Sequence, residues 1–345
     1  MTDLLRQLPR SFFWRPANCV PSLELLGPSH GVTVKKDVSA TIRREGLPPR
    51  PLTVAELAGG KVVGDLRLVA TRDDWVAGGL QTVFGCAEPQ NHYALHRWRF
   101  RIPKYRPGTA LLLGAANSDN YYHWLLDSLP RWKMLQAAGC LDYDYVLLHS
   151  LPRQFQEEAL DRLGVPPAKR LRCSKNYVHQ FERLVVPAMP FPQWQAEPWC
   201  CAWVRSLFPE KNSGPEKIYL SRHGAPRRRP VNEPELEARL AELGFVSIQP
   251  ERLTVAGQAK LFSAARCIVA PHSAGLANLV FAPPGATLLE LFHPQYQNSC
   301  YQQLAAACGQ GYASRNGYVV GGTDDRLPEY GIDVAAVIRA VRKTM

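Results

Sequence analysis

Asn120, His123, Asp127 and Arg131 recur in this sequence at the spacing of one helix face. At about 100° per residue they fall within an arc of roughly 80°. The positions between them are largely apolar or aromatic: Tyr121, Tyr122, Trp124, Leu125, Leu126, Leu129, Trp132 and Leu135. His123 and Asp127 stand at i,i+4 and can touch. A carboxylate beside an imidazole raises its basicity and orients it, as a general base requires. The competing reading is the solvent-facing stripe of an amphipathic helix.

A second stretch covers residues 267–291. A β-rich run (Cys267–Ala270) meets Pro271-His272-Ser273-Ala274-Gly275, then a helix-like run (Leu276–Phe281), a Pro-Pro-Gly turn and a strand (Thr287–Leu291). Ser273 is a natural N-cap. Ala274 and Gly275 leave the first N–H groups uncovered, and such a helix start attracts a phosphate. The alternative is an ordinary α/β crossover. The same turn approaches the G-x-S-x-G nucleophile elbow, with Ser273 as nucleophile. Against that, Pro271 replaces a small residue, and His293 precedes Asp324, Asp325 and Asp333, which inverts the usual order. Glu290, near the end of the second strand, could accept both hydroxyls of a ribose or pair with an Arg.

A third candidate is the basic loop Ser221-Arg222-His223-Gly224-Ala225-Pro226-Arg227-Arg228-Arg229, directly after a strand. Guanidinium forks suit diphosphate oxygens, and loops at the carboxyl edge of a parallel sheet face the ligand crevice. Without interleaved aromatics the loop is a weak nucleic-acid signal, and no nucleic-acid partner is expected. Asp142-Tyr143-Asp144 could hold a divalent ion but precedes its strand, so a turn cap is the better reading. No Cys/His cluster has zinc spacing, and no metal is expected.

These residues need elements to position them. The 345-residue chain is 46% hydrophobic, which suits a globular protein of two domains. Its 41 Lys and Arg against 30 Asp and Glu give a formal charge of +11, which suits polyanions, nucleotide phosphates or an anionic membrane surface. No apolar run reaches the roughly 18–20 residues of a membrane span. The arm around Leu4–Arg15 is too broken by Arg and Pro for a secretory segment. Nine scattered cysteines without a C-x-x-C point to buried free thiols in a reducing compartment.

Strand-like runs are expected near 61–70 and 98–102. From Thr109 the text alternates: a strand to Gly114, a helix over 120–138 kinked at Pro130, strands at 143–149 and 183–187, and helices at 154–163 and 194–208. Pro209–Pro215 reads as a linker. Beyond it come a strand at 217–221, a helix opened by an Asn232/Glu235 capping box and ended by Gly244, and a strand at 246–249. A helix capped by Thr254 precedes the 267–291 unit, and helices at 299–308 and 333–343 follow it. Such alternation implies mostly parallel sheets with helices on both faces.

The blocks Asn120–Arg131, Tyr219-Leu220-Ser221-Arg222 with Arg229 and Asn232-Glu233, Gln258, and His272–Asn278 with Glu290 resemble glycosyltransferase family 61, whose bacterial members are often capsular polysaccharide biosynthesis proteins. The resemblance spans about residues 110–308. It departs at Ser273, where the family usually has glycine. It implies a GT-B-like α/β fold of two Rossmann-like domains facing a cleft. It also implies inverting, metal-independent hexosyl or pentosyl transfer from a nucleotide-sugar donor, expected to be UDP-linked, with no cofactor. The domains expected are an acceptor-side domain at 1–208 (1–108 carrying no recognised block), a nucleotide-sugar domain at 216–322, and a C-terminal helix at 323–345 packing back on the first domain.

His123 with Asp127 is then the catalytic pair, with Asp127 alone as the other choice of base. Asn120 and Arg131 lie on the acceptor side. Arg222, Arg229, His272, Ser273, Ala274, Gly275, Asn278 and Glu290 bind the donor. The acceptor is a glycan or lipid-linked glycan of a bacterial surface polysaccharide. The expected location is the cytoplasm, with peripheral contact to anionic lipid at the inner membrane. The rival readings are a serine hydrolase using Ser273 and a non-catalytic nucleotide- or glycan-binding protein.

Overall fold

The structure, a computed structural model, describes residues 18–20, 28–42, 44, 50–66, 68–77, 102–191, 195–210, 214–225, 228–321 and 329–344. The arm at 1–17, most of the run at 98–102, and Asp324 and Asp325 lie outside them. The chain divides into two compact units, Met1–Pro192 and Gln193–Met345.

The first unit is built on a mixed sheet of ten strands among the described residues. They are β1 (Asn18–Val20), β2 (Val32–Asp37), β3 (Thr53–Ala58), β4 (Lys61–Val63), β5 (Leu68–Ala70), β6 (Trp75–Ala77), β7 (Lys104–Leu112), β8 (Tyr145–His149), β9 (Arg170–Cys173) and β10 (Val178–Pro187). The order is β1-β6-β5-β4-β10-β7-β8-β9, with β3 on β10 and β2 on β3. β10, β7, β8 and β9 run parallel, whereas β3 and β4 meet β10 antiparallel. The parallel strands carry unbroken buried runs, Ala110–Leu113 and Val146–Leu148, as strands covered on both faces do. Leu57, Leu66, Leu112, Leu147, Phe181 and Val186 share one core, each contributing about 1.5–3 kcal/mol by burial.

One glycine in this sheet is required. Gly108 has φ +88°, and a Cβ there would lie 2.1 Å from Asp144 Oδ2. That oxygen accepts the Thr109 N–H at 2.8 Å, and the Asp144 N–H returns to the Thr109 carbonyl at 2.9 Å. The second carboxylate of Asp142-Tyr143-Asp144 therefore closes a turn.

The helix after β7 differs from the expected Pro-kinked α-helix. Residues His123–Ser128 form a π-helix, followed by α1 (Leu129–Ala137) with Pro130 in its first turn. Pro130 has no N–H for the carbonyl four residues back. The turn widens instead, and the Leu129 N–H reaches the Trp124 carbonyl. α2 (Gln154–Arg162) follows β8.

The second unit contains an all-parallel sheet of β11 (Lys217–Leu220), β12 (Val246–Ile248), β13 (Cys267–Pro271), β14 (Thr287–Phe292) and β15 (Gly311–Asn316). Its order is β12-β11-β13-β14-β15, a doubly wound arrangement whose direction reverses between β11 and β13. Ligands bind such sheets outside the carboxyl ends of the strands at that reversal. α3 (Pro198–Leu207) precedes the sheet, and α4 (Glu233–Ala241), α5 (Val255–Phe262), α6 (Cys300–Ala307) and α7 (Val334–Thr344) wrap it. A 3₁₀ helix spans Ala274–Phe281.

Strand period assigns the two faces. Tyr219, Val269, Leu289 and Leu291 pack with Leu236 and Leu240 of α4 and with Val337, Ile338 and Val341 of α7. The final helix thus belongs to the core of the second unit. So does α3: the Arg205 Nε–H donates to the Val280 carbonyl at 2.8 Å, and Phe208 meets Phe281 edge-on. The unit accordingly begins before α3 and not at residue 216.

Two helix starts also differ from expectation. The Asn232 side chain forms no cap; it bridges to Ile332, with Nδ2 donating to the carbonyl at 2.8 Å and Oδ1 accepting the N–H at 2.9 Å. The turn after Ser273 is 3₁₀ rather than α. Asn278 Nδ2 occupies the Gly275 carbonyl at 2.9 Å, which an α-helical N–H would otherwise use. Thr254 does cap α5, accepting from the Gly257 N–H at 3.0 Å. Seven cysteines among the described residues are buried free thiols. No described helix is long and apolar enough to cross a membrane.

Candidate functional site

The first unit brings His123 and Asp127 together. His123 Nδ1 lies 2.6 Å from Asp127 Oδ2, and both side chains are about nine-tenths buried. An Nδ1–H donated to the carboxylate leaves Nε2 as the proton-accepting nitrogen. Arg131 does not face solvent: it is fully buried, and its Nη1 donates to the Gly114 carbonyl at 2.9 Å. Burial pushes its pKa down to about 10, against the pull of Asp127. Arg131 therefore stays charged at neutral pH. Asn120 is exposed and closes the turn before the π-helix, Oδ1 accepting the Tyr122 N–H at 2.9 Å.

A further imidazole, which sequence reasoning missed, supports that turn. His149 at the end of β8 has Nε2 3.3 Å from Asp65 Oδ2 and 3.9 Å from Asp119 Oδ1. The Leu151 N–H donates to its Nδ1 at 3.2 Å, so Nε2 carries the proton. Asp65 is fully buried. The pair spans two distant strand ends, which no local spacing could reveal.

In the second unit the turns after β11 and β13 stand side by side at the sheet's reversal point. A buried carboxylate, Glu233, sets the first turn. Its Oε1 accepts from Tyr219 Oη at 3.1 Å, Ser221 Oγ at 3.3 Å and the Arg222 N–H at 2.5 Å. Burial and Glu233 raise the Tyr219 pKa well above its ordinary value. Arg222 is partly buried, and desolvation followed by the charge of Arg228 lowers its pKa. Arg229 is exposed.

The second turn is organised by His272 and Glu290. His272 Nδ1 lies 2.6 Å from Glu290 Oε1, and Tyr312 Oη donates to Oε2 at 2.8 Å. Glu290 is fully buried, and both its oxygens are engaged within the protein. Asn298 Oδ1 accepts the Cys300 N–H at 3.1 Å, which turns Nδ2 toward His272 Nε2 at 3.3 Å. The network thus assigns the proton to Nδ1 and the lone pair to Nε2. The His272 ring stacks on Phe292 and meets Tyr296 and Tyr301. Tyr312 and Asn298 were missed; Asn298 lies between β14 and α6, whereas Tyr312 reaches Glu290 only through the pairing of β15 with β14.

Ser273 is extended at φ −156°, a backbone any residue adopts, so the glycine usual in the resembled family is not needed. Its side chain makes no cap. Its carbonyl accepts from Tyr301 Oη at 2.6 Å and from the Leu276 N–H at 3.0 Å. Gly275 lies under Pro250, whose Cγ would be 3.3 Å from an added Cβ. Asn278 is fully buried and donates to Gln258 Oε1 at 2.5 Å, locking the 3₁₀ helix to α5. On the β12 side, a cavity of about 630 Å³ opens between Ser221, His223, Gln249, Arg252 and Leu253.

Among the described residues no group of three or more His, Cys, Asp or Glu is arranged to hold a metal. No curated protein matches the chain. Residues 121–289 match the family model described as Glycosyltransferase 61. That segment opens at the helix of His123 and Asp127 and ends one residue before Glu290, and its match supports reading the chain as a glycosyltransferase.

Proposed function

We propose that the chain transfers a sugar, with inversion and without a metal ion, from a nucleotide sugar to a hydroxyl of a glycan acceptor. The observation that carries this is the adjacency of two anion-suited turns, Ser221–Arg222 and His272–Gly275, at the switch point of a parallel sheet. In this reading the units divide the work as in a GT-B enzyme. The second holds the donor: diphosphate at Arg222, at a second arginine of the loop beyond it and at the N–H groups of Ala274 and Gly275, and nucleoside toward the cavity on the β12 side. Glu290 orients His272, and Asn278 holds the helix start in place. The first unit serves the acceptor.

The chemistry is a single displacement. The acceptor oxygen attacks C1 of the donor sugar, and its proton passes to His123 Nε2. The bond from C1 to the diphosphate oxygen breaks on the opposite face, and the nucleoside diphosphate leaves with the bonding pair. Asp127 stabilises the imidazolium that forms, and Arg222 with the backbone N–H groups stabilises the leaving charge. The cationic loop supplies what a divalent ion would supply elsewhere.

The donor is UDP-linked in this proposal. The acceptor is a glycan or lipid-linked glycan of a bacterial surface or capsular polysaccharide, met at the cytoplasmic membrane face. The charge of +11 favours reversible contact there with anionic lipid. The test is a thermal-shift and transfer screen against nucleoside diphosphates and nucleotide sugars, with and without EDTA. A nucleotide held at 100 times its Kd stabilises by about 2.7 kcal/mol. Absence of any stabilisation, or activity abolished by EDTA and restored by Mn²⁺ or Mg²⁺, overturns the reading in its binding or metal-free part respectively.

A further inference from the structure

We infer that Arg228, and not its exposed neighbour Arg229, is the second arginine of the diphosphate cradle, held strained and uncompensated until an anion enters. This rests on the donor-site reading above and deepens it. Three observations converge on Arg228. Its backbone is left-handed, with φ +54°, where a side chain other than glycine is disfavoured. Its guanidinium lies over the Tyr296 ring, 4.5 Å from the centroid, and Tyr296 in turn meets the His272 ring at 5.4 Å. Its Nη1 is buried with no hydrogen-bond partner among the described residues.

The charge environment fits the same role. Arg228 stands close enough to Arg222 to lower its pKa, second only to desolvation. Two cations brought together repel one another. Among the described residues no carboxylate forms an ion pair with Arg228. The buried Glu233 commits its Oε1 to the Arg222 N–H, Ser221 and Tyr219.

An anion bearing charge on two adjacent phosphoryl groups answers both arginines at once. It gives Nη1 an acceptor, screens the repulsion, and meets guanidinium forks in the geometry they favour. The Tyr330 hydroxyl reaches the Arg228 carbonyl at 3.4 Å, and the aromatic face of Tyr296 holds the side chain. Backbone strain and a buried Nη1 without a partner among the described residues thus meet at one residue, a pattern that marks ligand clamps.

The experiment is calorimetric titration of the full chain with inorganic pyrophosphate and with UDP at fixed salt. The variants are Arg228→Ala, Arg228→Gly, Arg228→Lys, Arg229→Ala and, as a charge-matched surface control, Arg239→Ala. The expected result is a loss of at least tenfold in affinity for both probes in Arg228→Ala and Arg228→Gly, with partial recovery in Arg228→Lys. Arg229→Ala and Arg239→Ala change affinity less than threefold. Arg228→Gly, relieved of its left-handed strain, melts no lower than the parent chain while binding more weakly. A merely structural role would lower melting and affinity together. Wild-type affinity in both Arg228→Ala and Arg228→Gly, or an equal loss in Arg229→Ala, overturns the inference and leaves the donor-site reading standing. A parent chain that binds neither probe overturns both.

Discussion

His272 Nδ1 and Glu290 Oε1 stand 2.6 Å apart although one belongs to a turn and the other to the middle of a buried strand. Register makes this possible. Glu290 pairs with Ala270 across β13 and β14, so His272 lies just beyond its neighbour and folds back over the same sheet face. Tyr312, on β15, fills the remaining oxygen. Removing the carboxylate leaves an Nδ1–H and a tyrosyl hydroxyl without their acceptor. Glu290→Ala is therefore expected to cost about 2–5 kcal/mol, and Tyr312→Phe about 1–2 kcal/mol. Urea denaturation measures both; a Glu290→Ala cost under about 0.5 kcal/mol would show that the network carries no stability.

Ser273 separates transferase from hydrolase. Its hydroxyl makes no hydrogen bond among the described residues, and the neighbouring imidazole is committed to Glu290 and Asn298. A nucleophilic serine needs a base within reach. Ser273→Ala is expected to keep sugar transfer within about threefold and fluorophosphonate reagents to leave the chain unlabelled. Stoichiometric labelling at Ser273 would reinstate the hydrolase.

Much of this arrangement was legible before the fold. The alternation from Lys217 onward gave the parallel sheet, because continuous β-branched runs between capped helices leave few other packings. The i,i+4 pairing of His123 with Asp127 was visible because helix geometry is local. Other features depended on distance. Glu290 read as a ribose acceptor or an Arg partner, and its contacts with His272 and Tyr312 arise only through strand register. Arg228 and Arg229 are adjacent in sequence, and only the left-handed backbone decides which turns inward. Pro130 announced a break, but periodicity could not say that the turn before it would widen to a π-helix.

His179, on β10, gives the first unit a pH-dependent stability. Burial, then the charges of Arg106 and Lys104, push its imidazole down to about 4 from an ordinary value near 6.5. Its ring lies nearly parallel to Phe181, and neither nitrogen has a hydrogen-bond partner among the described residues. The folded state holds it neutral while the unfolded chain protonates near 6.5. Its contribution is therefore present above that pH and is lost as pH falls from about 6.5 to 4. The expected loss is about 1–2 kcal/mol after allowance for solvent screening. His179→Phe keeps the packing and removes the titration. Urea denaturation at pH 7 and at pH 4.5 should show the variant losing less stability on acidification than the parent chain. Parallel losses in the two proteins would remove His179 from the account.

The pair His123 and Asp127 carries the sharpest expectation. Both side chains are buried, they meet at 2.6 Å, and the charge of buried Arg131 interacts with Asp127. If His123 takes the acceptor proton, His123→Ala is expected to lower kcat by about 10²–10⁴-fold. Asp127→Asn keeps the shape but removes the charge that stabilises the imidazolium, so a severe loss in kcat is expected there too. Arg131→Met leaves the proton acceptor in place but withdraws a cation from Asp127 and a donor from the Gly114 carbonyl. Its loss should appear in stability as well as in turnover. None of the three belongs to the unit that holds Arg222 and His272, so the Kd for UDP should stay within about twofold in His123→Ala and Asp127→Asn. Measuring kcat and nucleotide Kd on the same preparations separates the outcomes. Near-normal kcat in both variants would show that the buried pair is only a helix brace, whereas a parallel fall in UDP affinity would place His123 and Asp127 on the donor side.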